Sequence, residues 1–196
     1  MDNKKLEIRR QIFHLVLGIV LVFLLYYEFL NAILLGVFLV FGIAFSFIAK
    51  KRKIPIVSWF LNNFERKDTI SSFPGKGVIF YFAGALLVVL LFPKNVALAS
   101  ILVLAFGDSI GHLFGMSYGK RKFIFNEKKF VEGIAVGFIT SWLVAMVFVS
   151  IWQAFLGAFF GMLVESMEIK INQNAVDDNV LVPLVAGFFM WIASIL

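Results

Sequence analysis

The sequence predicts an all-α, polytopic transmembrane helical bundle of about seven spans with its N-terminus cytoplasmic. Three observations predict it. Hydrophobic residues make up 61% of the 196 residues and charged residues only 15%, at a mean hydropathy of +0.95, too apolar a balance for a soluble domain of this length. The apolar residues gather in runs near the ~20 residues that a helix needs to cross a bilayer. The cations gather in alternate connections between those runs.

The first run, 11–30, follows a basic start as a secretory signal would, but its apolar core is too long and lacks a small-residue cleavage site, so it reads as a helix. Runs at 31–49, 77–93, 96–116, 133–150, 151–166 and 180–196 complete the count. The third is short, and the fifth and sixth abut, so a re-entrant piece stays open. Residues 1–196 read as a single integral membrane domain without a separate soluble part. There is no cysteine, which excludes disulfides, thiolate catalysis and cysteine-ligated zinc.

The charges orient the bundle. Lys4, Lys5, Arg9 and Arg10 precede the first run; Lys50, Lys51, Arg52, Lys53, Arg66, Lys67 and Lys76 lie between the second and third; Lys120, Arg121, Lys122, Lys128 and Lys129 between the fourth and fifth; Lys170 between the sixth and seventh. With seven spans all of these share one side and only Lys94 falls opposite, which makes that side cytoplasmic. Topology and headgroup attraction account for the net charge of +6, so no nucleic-acid role is expected.

Ionisable groups in or against apolar runs are costly and need a reason. Asp108 and His112 are four residues apart, on one helical face. His14 lies just inside the first run, Glu132 opens the fifth, Glu165 closes the sixth, and Asp177, Asp178 and Asn179 open the seventh. All belong to the cytoplasmic rim; Glu28 alone is opposite. Carboxylates from several helices beside a cationic connection suit Mg²⁺ and a polyphosphate. Structural readings stand beside this one: Asp108 as an ion-pair partner in the bundle, Asp177 or Asp178 as a helix cap. Gly107, Gly111 and Gly115 repeat every four residues, a packing seam that could also serve a homodimer. Gly119-Lys120-Arg121-Lys122 forms a cationic turn. Pro74-Gly75-Lys76-Gly77 reads first as a turn and second as a phosphate-facing backbone nest.

Gly107-Asp108, Gly115, Gly119-Lys120, Lys129 with Glu132-Gly133, Glu165, and Asp178-Asn179 with Pro183 resemble, in order and spacing, the motifs of the CTP-dependent polyprenol kinase family. That family includes dolichol kinase, phytol kinase and CTP-dependent diacylglycerol kinase. Arg9, Arg10 and His14, and the 74–77 stretch, resemble its small prokaryotic-type members. Phe130 departs from the pattern, standing where the family carries a Ser or Thr after the lysine. The resemblance implies transfer of the γ-phosphoryl group of CTP to a long-chain isoprenoid alcohol such as dolichol at the cytoplasmic face of the membrane. It implies Mg²⁺ held by Asp108, Glu165 and Asp178, and catalytic roles among Asp108, Glu132 and Asp178. The triphosphate would contact Gly119, Lys120, Arg121, Lys122, Lys128, Lys129, Asn179 and Lys76. Two alternatives remain open on the residues alone: a cytidylyltransferase forming a CDP-lipid, and a proton- or ion-coupled transporter or flippase.

Overall fold

Each apolar run becomes a helix, and the computed structural model describes residues 3–52, 54–171 and 174–195 of the chain. Lys53 lies outside them. In chain order the described elements are α1 (Asn3–Tyr26), α2 (Ala32–Lys51), α3 (Pro55–Phe64), α4 (Lys67–Ser72), α5 (Lys76–Leu91), α6 (Lys94–Tyr118), β1 (Lys122–Phe123), β2 (Asn126–Phe130), α7 (Val131–Ala145), α8 (Ile151–Ser166), β3 (Lys170–Ile171), β4 (Asn174–Ala175) and α9 (Asp178–Ile192). β1 pairs with β2 and β3 with β4, both antiparallel. These two small hairpins sit in connections and leave the fold all-α.

Local chemistry sets the ends. The Asn31 side chain accepts the Leu34 N–H and starts α2, Ser150 and Gln153 form a capping box on α8, and Gly75, at φ 79°, supplies the left-handed turn before α5. α6 is the axis of the bundle, packed by α1, α5, α7, α8 and α9, while α2 leans on α5. From Val96 to Ala105 every residue of α6 is buried, and its apolar residues from Val96 to Leu104 form one cluster with Leu21, Leu25, Val88, Val182 and Met190 from α1, α5 and α9. By contrast Phe23 on α1 and Val40, Phe41 and Phe47 on α2 stand exposed, large apolar side chains of the kind a membrane protein turns toward lipid. The chain is a membrane protein. α1, α2 and α6 are long and apolar enough to cross a membrane, and α5, α7, α8 and α9 are shorter apolar helices.

The glycine seam is used inside the chain. A Cβ at Gly111 would lie 2.9 Å from the Gly133 carbonyl oxygen, and one at Gly137 2.7 Å from that of Gly107, so α6 and α7 touch backbone to backbone. With the seam filled by α7, it offers no support for a homodimer. Pro183 lacks the N–H that would bond the Asn179 carbonyl, and that freed carbonyl presses on Gly84, where no Cβ fits. The segment between the second and third runs, expected as a basic loop, folds into α3 and α4; in α3, Phe60 and Phe64 have the helical spacing to pack on Phe13 of α1.

Candidate active site

The charged ends of α1, α5, α6 and α9 meet at one end of the bundle around a cavity of about 400 Å³. Arg10 and His14 reach it from α1, Lys76 and Tyr81 from α5, Asp108 and His112 from α6, Lys128 and Lys129 from β2, and Asp177, Asp178 and Asn179 from the start of α9. One wall is apolar, made by Phe13, Leu17, Phe60 and Phe64. At the opposite end of the bundle the main polar contact is a lone surface pair, Lys94 with Glu28 at 2.8 Å.

Lys129 is the hub. Its ammonium pairs with the Glu165 carboxylate and lies 3.6 Å from Asp108 Oδ1. Burial works against the charged form, but Glu165 and Asp108 outweigh it and hold the lysine pKa above its ordinary value. The other Asp108 oxygen, Oδ2, lies 3.9 Å from His14 Nε2. Lys76 Nζ pairs with Asp177 at 3.3 Å, and Asp177 also accepts the Asn179 N–H and side-chain amide. Asp177 is thus the cap of α9, and Asp108 is an ion-pair partner, as the structural readings had it; both still face the cavity. Asp178 has no hydrogen bond or ion pair among the described residues and is held at the rim by its place in the first turn of α9.

Of the residues named from sequence, Asp108, Asp178, Asn179, Lys76, Lys128 and Lys129 come together. Glu165, only 3% exposed, stands behind Lys129 and lines a second cavity of about 280 Å³ with Gly111, Gly115, Phe130 and Met162. Glu132 and Gly119 to Lys122 are not brought in. The Glu132 carboxylate instead accepts the backbone N–H groups of Lys120, at 3.1 Å, and Arg121, at 3.3 Å, fastening the β1–β2 hairpin to α7. Gly119 leaves room for the Phe130 ring, over which Lys122 Nζ sits 3.8 Å from the centroid. Phe130, the departure from the motif, is therefore the packing element of the hairpin.

No family model matches the chain, and no solved structure matches it. Over 186 residues, 94% of this chain and 92% of the other, it is 34% identical to Uncharacterized protein MJ1137 of Methanocaldococcus jannaschii. The chain belongs to that protein's family. It is also 23% identical, over 133 residues and 59% of each chain, to CTP-dependent diacylglycerol kinase 1 of Schizosaccharomyces pombe.

Three site residues escaped the sequence reading. Glu7 accepts from Arg10 at 2.5 Å and from Arg66 at 3.2 Å, and lies 3.2 Å from His112 Nε2, joining α1, α4 and α6. In sequence it is one acid among cations and reads as part of a topogenic run. Glu65 accepts the N–H of Gly75 at 2.7 Å and of Gly77 at 3.4 Å, so the nest at 74–77 already holds a carboxylate. Burial pushes the Glu65 carboxyl up from its ordinary value even against those amides. Tyr81, 1% exposed, sits in an apolar run where nothing local marks it.

Proposed function

We propose that this chain is a CTP-dependent lipid kinase working at the cytoplasmic surface of a membrane. The observation that carries the proposal is the cavity itself, which sets carboxylates (Asp108, Asp177, Asp178) and cations (Lys76, Lys128, Lys129) against an apolar wall of Phe13, Leu17, Phe60 and Phe64. The distant likeness to a protein named as a CTP-dependent diacylglycerol kinase supports the same reading. The sequence motifs favour a polyprenol such as dolichol as acceptor, and diacylglycerol is the acceptor in the name of the yeast relative.

In this reading the acceptor oxygen bonds to the γ-phosphorus as the bond from that phosphorus to the bridging oxygen breaks, and CDP leaves with the electron pair. Asp108 takes the hydroxyl proton. Lys76, Lys128 and Lys129 hold the phosphates and spread the charge that builds at transfer. Among the described residues no cluster of three His, Cys, Asp or Glu side chains would hold a metal by itself. Mg²⁺ still fits the donors, because it is commonly held by one or two carboxylates with substrate phosphates and water completing its shell. Asp108, Asp178 and Asn179 would hold it, with Glu165 acting through Lys129; when bound it neutralises phosphate charge.

The test is purified protein with γ-labelled CTP or ATP, Mg²⁺, and a panel of dolichol, geranylgeraniol and diacylglycerol. Label in a lipid monophosphate, with CDP released, is the expected product. It should fall at least 100-fold in Asp108→Asn and Asp178→Asn and vanish on chelation of Mg²⁺. Pyrophosphate with a CDP-lipid would mean a cytidylyltransferase instead, and wild-type turnover by both variants would sink the site.

A further inference from the structure

The inner end of the apolar wall holds two buried polar atoms without hydrogen-bond partners among the described residues, His14 Nε2 and the Tyr81 hydroxyl. The two rings pack edge to face, centroids 4.6 Å apart. A buried hydroxyl left unpaired is costly, and a phenylalanine would fill the same volume, so the oxygen of Tyr81 needs a reason. Room is made for it: a Cβ at Gly18 would overlap the Tyr81 hydroxyl. That hydroxyl lies one turn along α1 and α6 from the pair formed by His14 and Asp108.

The gap in that pair is informative. His14 Nε2 and Asp108 Oδ2 are 3.9 Å apart, too far for a direct hydrogen bond. An oxygen at about 2.8 Å from each would bridge them at an angle near ~90°, within ordinary geometry for a hydroxyl that donates to one and accepts from the other. A neutral hydroxyl suits the gap between His14 and Asp108 better than an anion, which would meet the Asp108 carboxylate.

From there the wall runs outward. Phe13, Phe60 and Phe64 form a ring cluster with centroids 5.0 to 5.2 Å apart, joining α1 to α3. Beyond it Val16 and Trp59 are exposed on the outer faces of the same two helices, where lipid would begin.

Resting on the lipid-kinase reading, we propose that the acceptor alcohol binds between α1 and α3. Its hydroxyl satisfies His14 Nε2, Asp108 and the Tyr81 hydroxyl, and its hydrocarbon lies on Phe13, Phe60 and Phe64. Tyr81 and His14 are then residues that bind and place the acceptor and leave the nucleotide untouched.

The experiment uses the full chain in lipid nanodiscs, without nucleotide, and a long-chain primary alcohol carrying a mid-chain diazirine. Photolabel should map to peptides around Phe13 and Phe60 and be displaced by geranylgeraniol but not by an alkyl phosphate of equal length. Tyr81→Phe, which keeps the packed ring, and His14→Gln should each weaken half-saturation roughly five-fold, the size of one hydrogen bond. With CTP supplied, the same variants should raise KM for the alcohol and leave KM for CTP unchanged. Label confined to other helices, wild-type binding by both variants, or stronger displacement by the alkyl phosphate would overturn the subsite. Labelling as expected with no phosphorylated lipid from any nucleotide would leave the subsite standing and remove the kinase; phosphorylated lipid with label elsewhere would do the reverse.

Discussion

Replacing Lys129 by Met removes the one cation that Asp108 and Glu165 share. The Lys129, Asp108 and Glu165 side chains are 17%, 16% and 3% exposed, so the two acids would be left without their counter-charge and with little water to replace it. Removing one partner of a buried pair costs about 3–5 kcal/mol. Because Asp108 also borders the cavity, the low end applies, about 3 kcal/mol, which for a chain of this size is roughly 6–12 °C in Tm. Lys129→Met combined with Glu165→Gln takes away one of the stranded charges and should recover most of that loss. Neither variant restores a cation for the phosphates, so turnover should stay down about 100-fold in both. Thermal unfolding followed by tryptophan fluorescence in detergent, beside the labelled-phosphate assay, reads the two effects separately. If the double variant melts as low as the single one, Lys129 is not balancing Glu165. If either turns over like the wild type, Lys129 does not hold phosphate.

Phe130→Ser installs the hydroxyl that the family motif carries. It also strips the ring from Gly119 and from Lys122, so it should cost about 2 kcal/mol and leave KM for CTP no lower than the wild type; a lower value would mean that position 130 reaches the nucleotide. Burial has raised the Glu65 carboxyl above its ordinary 4.5. The contribution of that group to stability is therefore greatest below that pH and is lost as pH rises through the folded-state value. Glu65→Gln, which stays neutral, should gain in Tm relative to the wild type between about pH 4 and about pH 7; a gap that shrinks with pH would refute this.

The helices were legible because lipid-facing runs such as 31–49 carry their signal in composition alone, and α2 matches that run closely. The cluster of Asp108, Asp178, Asn179, Lys76 and Lys129 was legible because charge at a membrane-buried helix end is rare enough to point to a purpose. What failed was direction within a connection. Cations at 120–122 and 128–129 look alike in sequence, but the hairpin turns β2 to the cavity and leaves β1 outside it. Glu132, three residues after the motif lysine, is spent on two backbone amides, a role set by how α7 meets α6 through Gly111 and Gly133. Tyr81 takes its meaning from His14, far along the chain, and Glu65 from backbone amides ten and twelve residues on, and no local pattern announces such pairing.

Helix lengths bear on how the chain sits in the membrane. At 1.5 Å per residue the 15 or 16 residues of α5, α7, α8 and α9 rise only about 23 Å, short of a ~30 Å hydrocarbon core. Asp108 lies 10 residues before the end of α6 at Tyr118, about 15 Å down the helix. The cavity is thus set back from the end of α6, and on the lipid-kinase reading proposed above that depth is where a lipid hydroxyl and a nucleotide would meet. If all seven apolar helices cross, Lys122 on the hairpin and Glu28 beyond α1 face opposite sides, and Ser194 beyond α9 shares the side of Glu28. The absence of cysteine from the sequence makes this measurable with single substitutions, Lys122→Cys, Glu28→Cys and Ser194→Cys, each exposed to a membrane-impermeant maleimide in intact cells and in inverted vesicles. Glu28→Cys and Ser194→Cys should label from outside and Lys122→Cys only in inverted vesicles. Labelling of Lys122→Cys and Ser194→Cys from one side would mean an even number of crossings after the hairpin, with one of the short helices re-entrant. Labelling of Lys122→Cys from outside would reverse the orientation and place the cavity where CTP does not reach it.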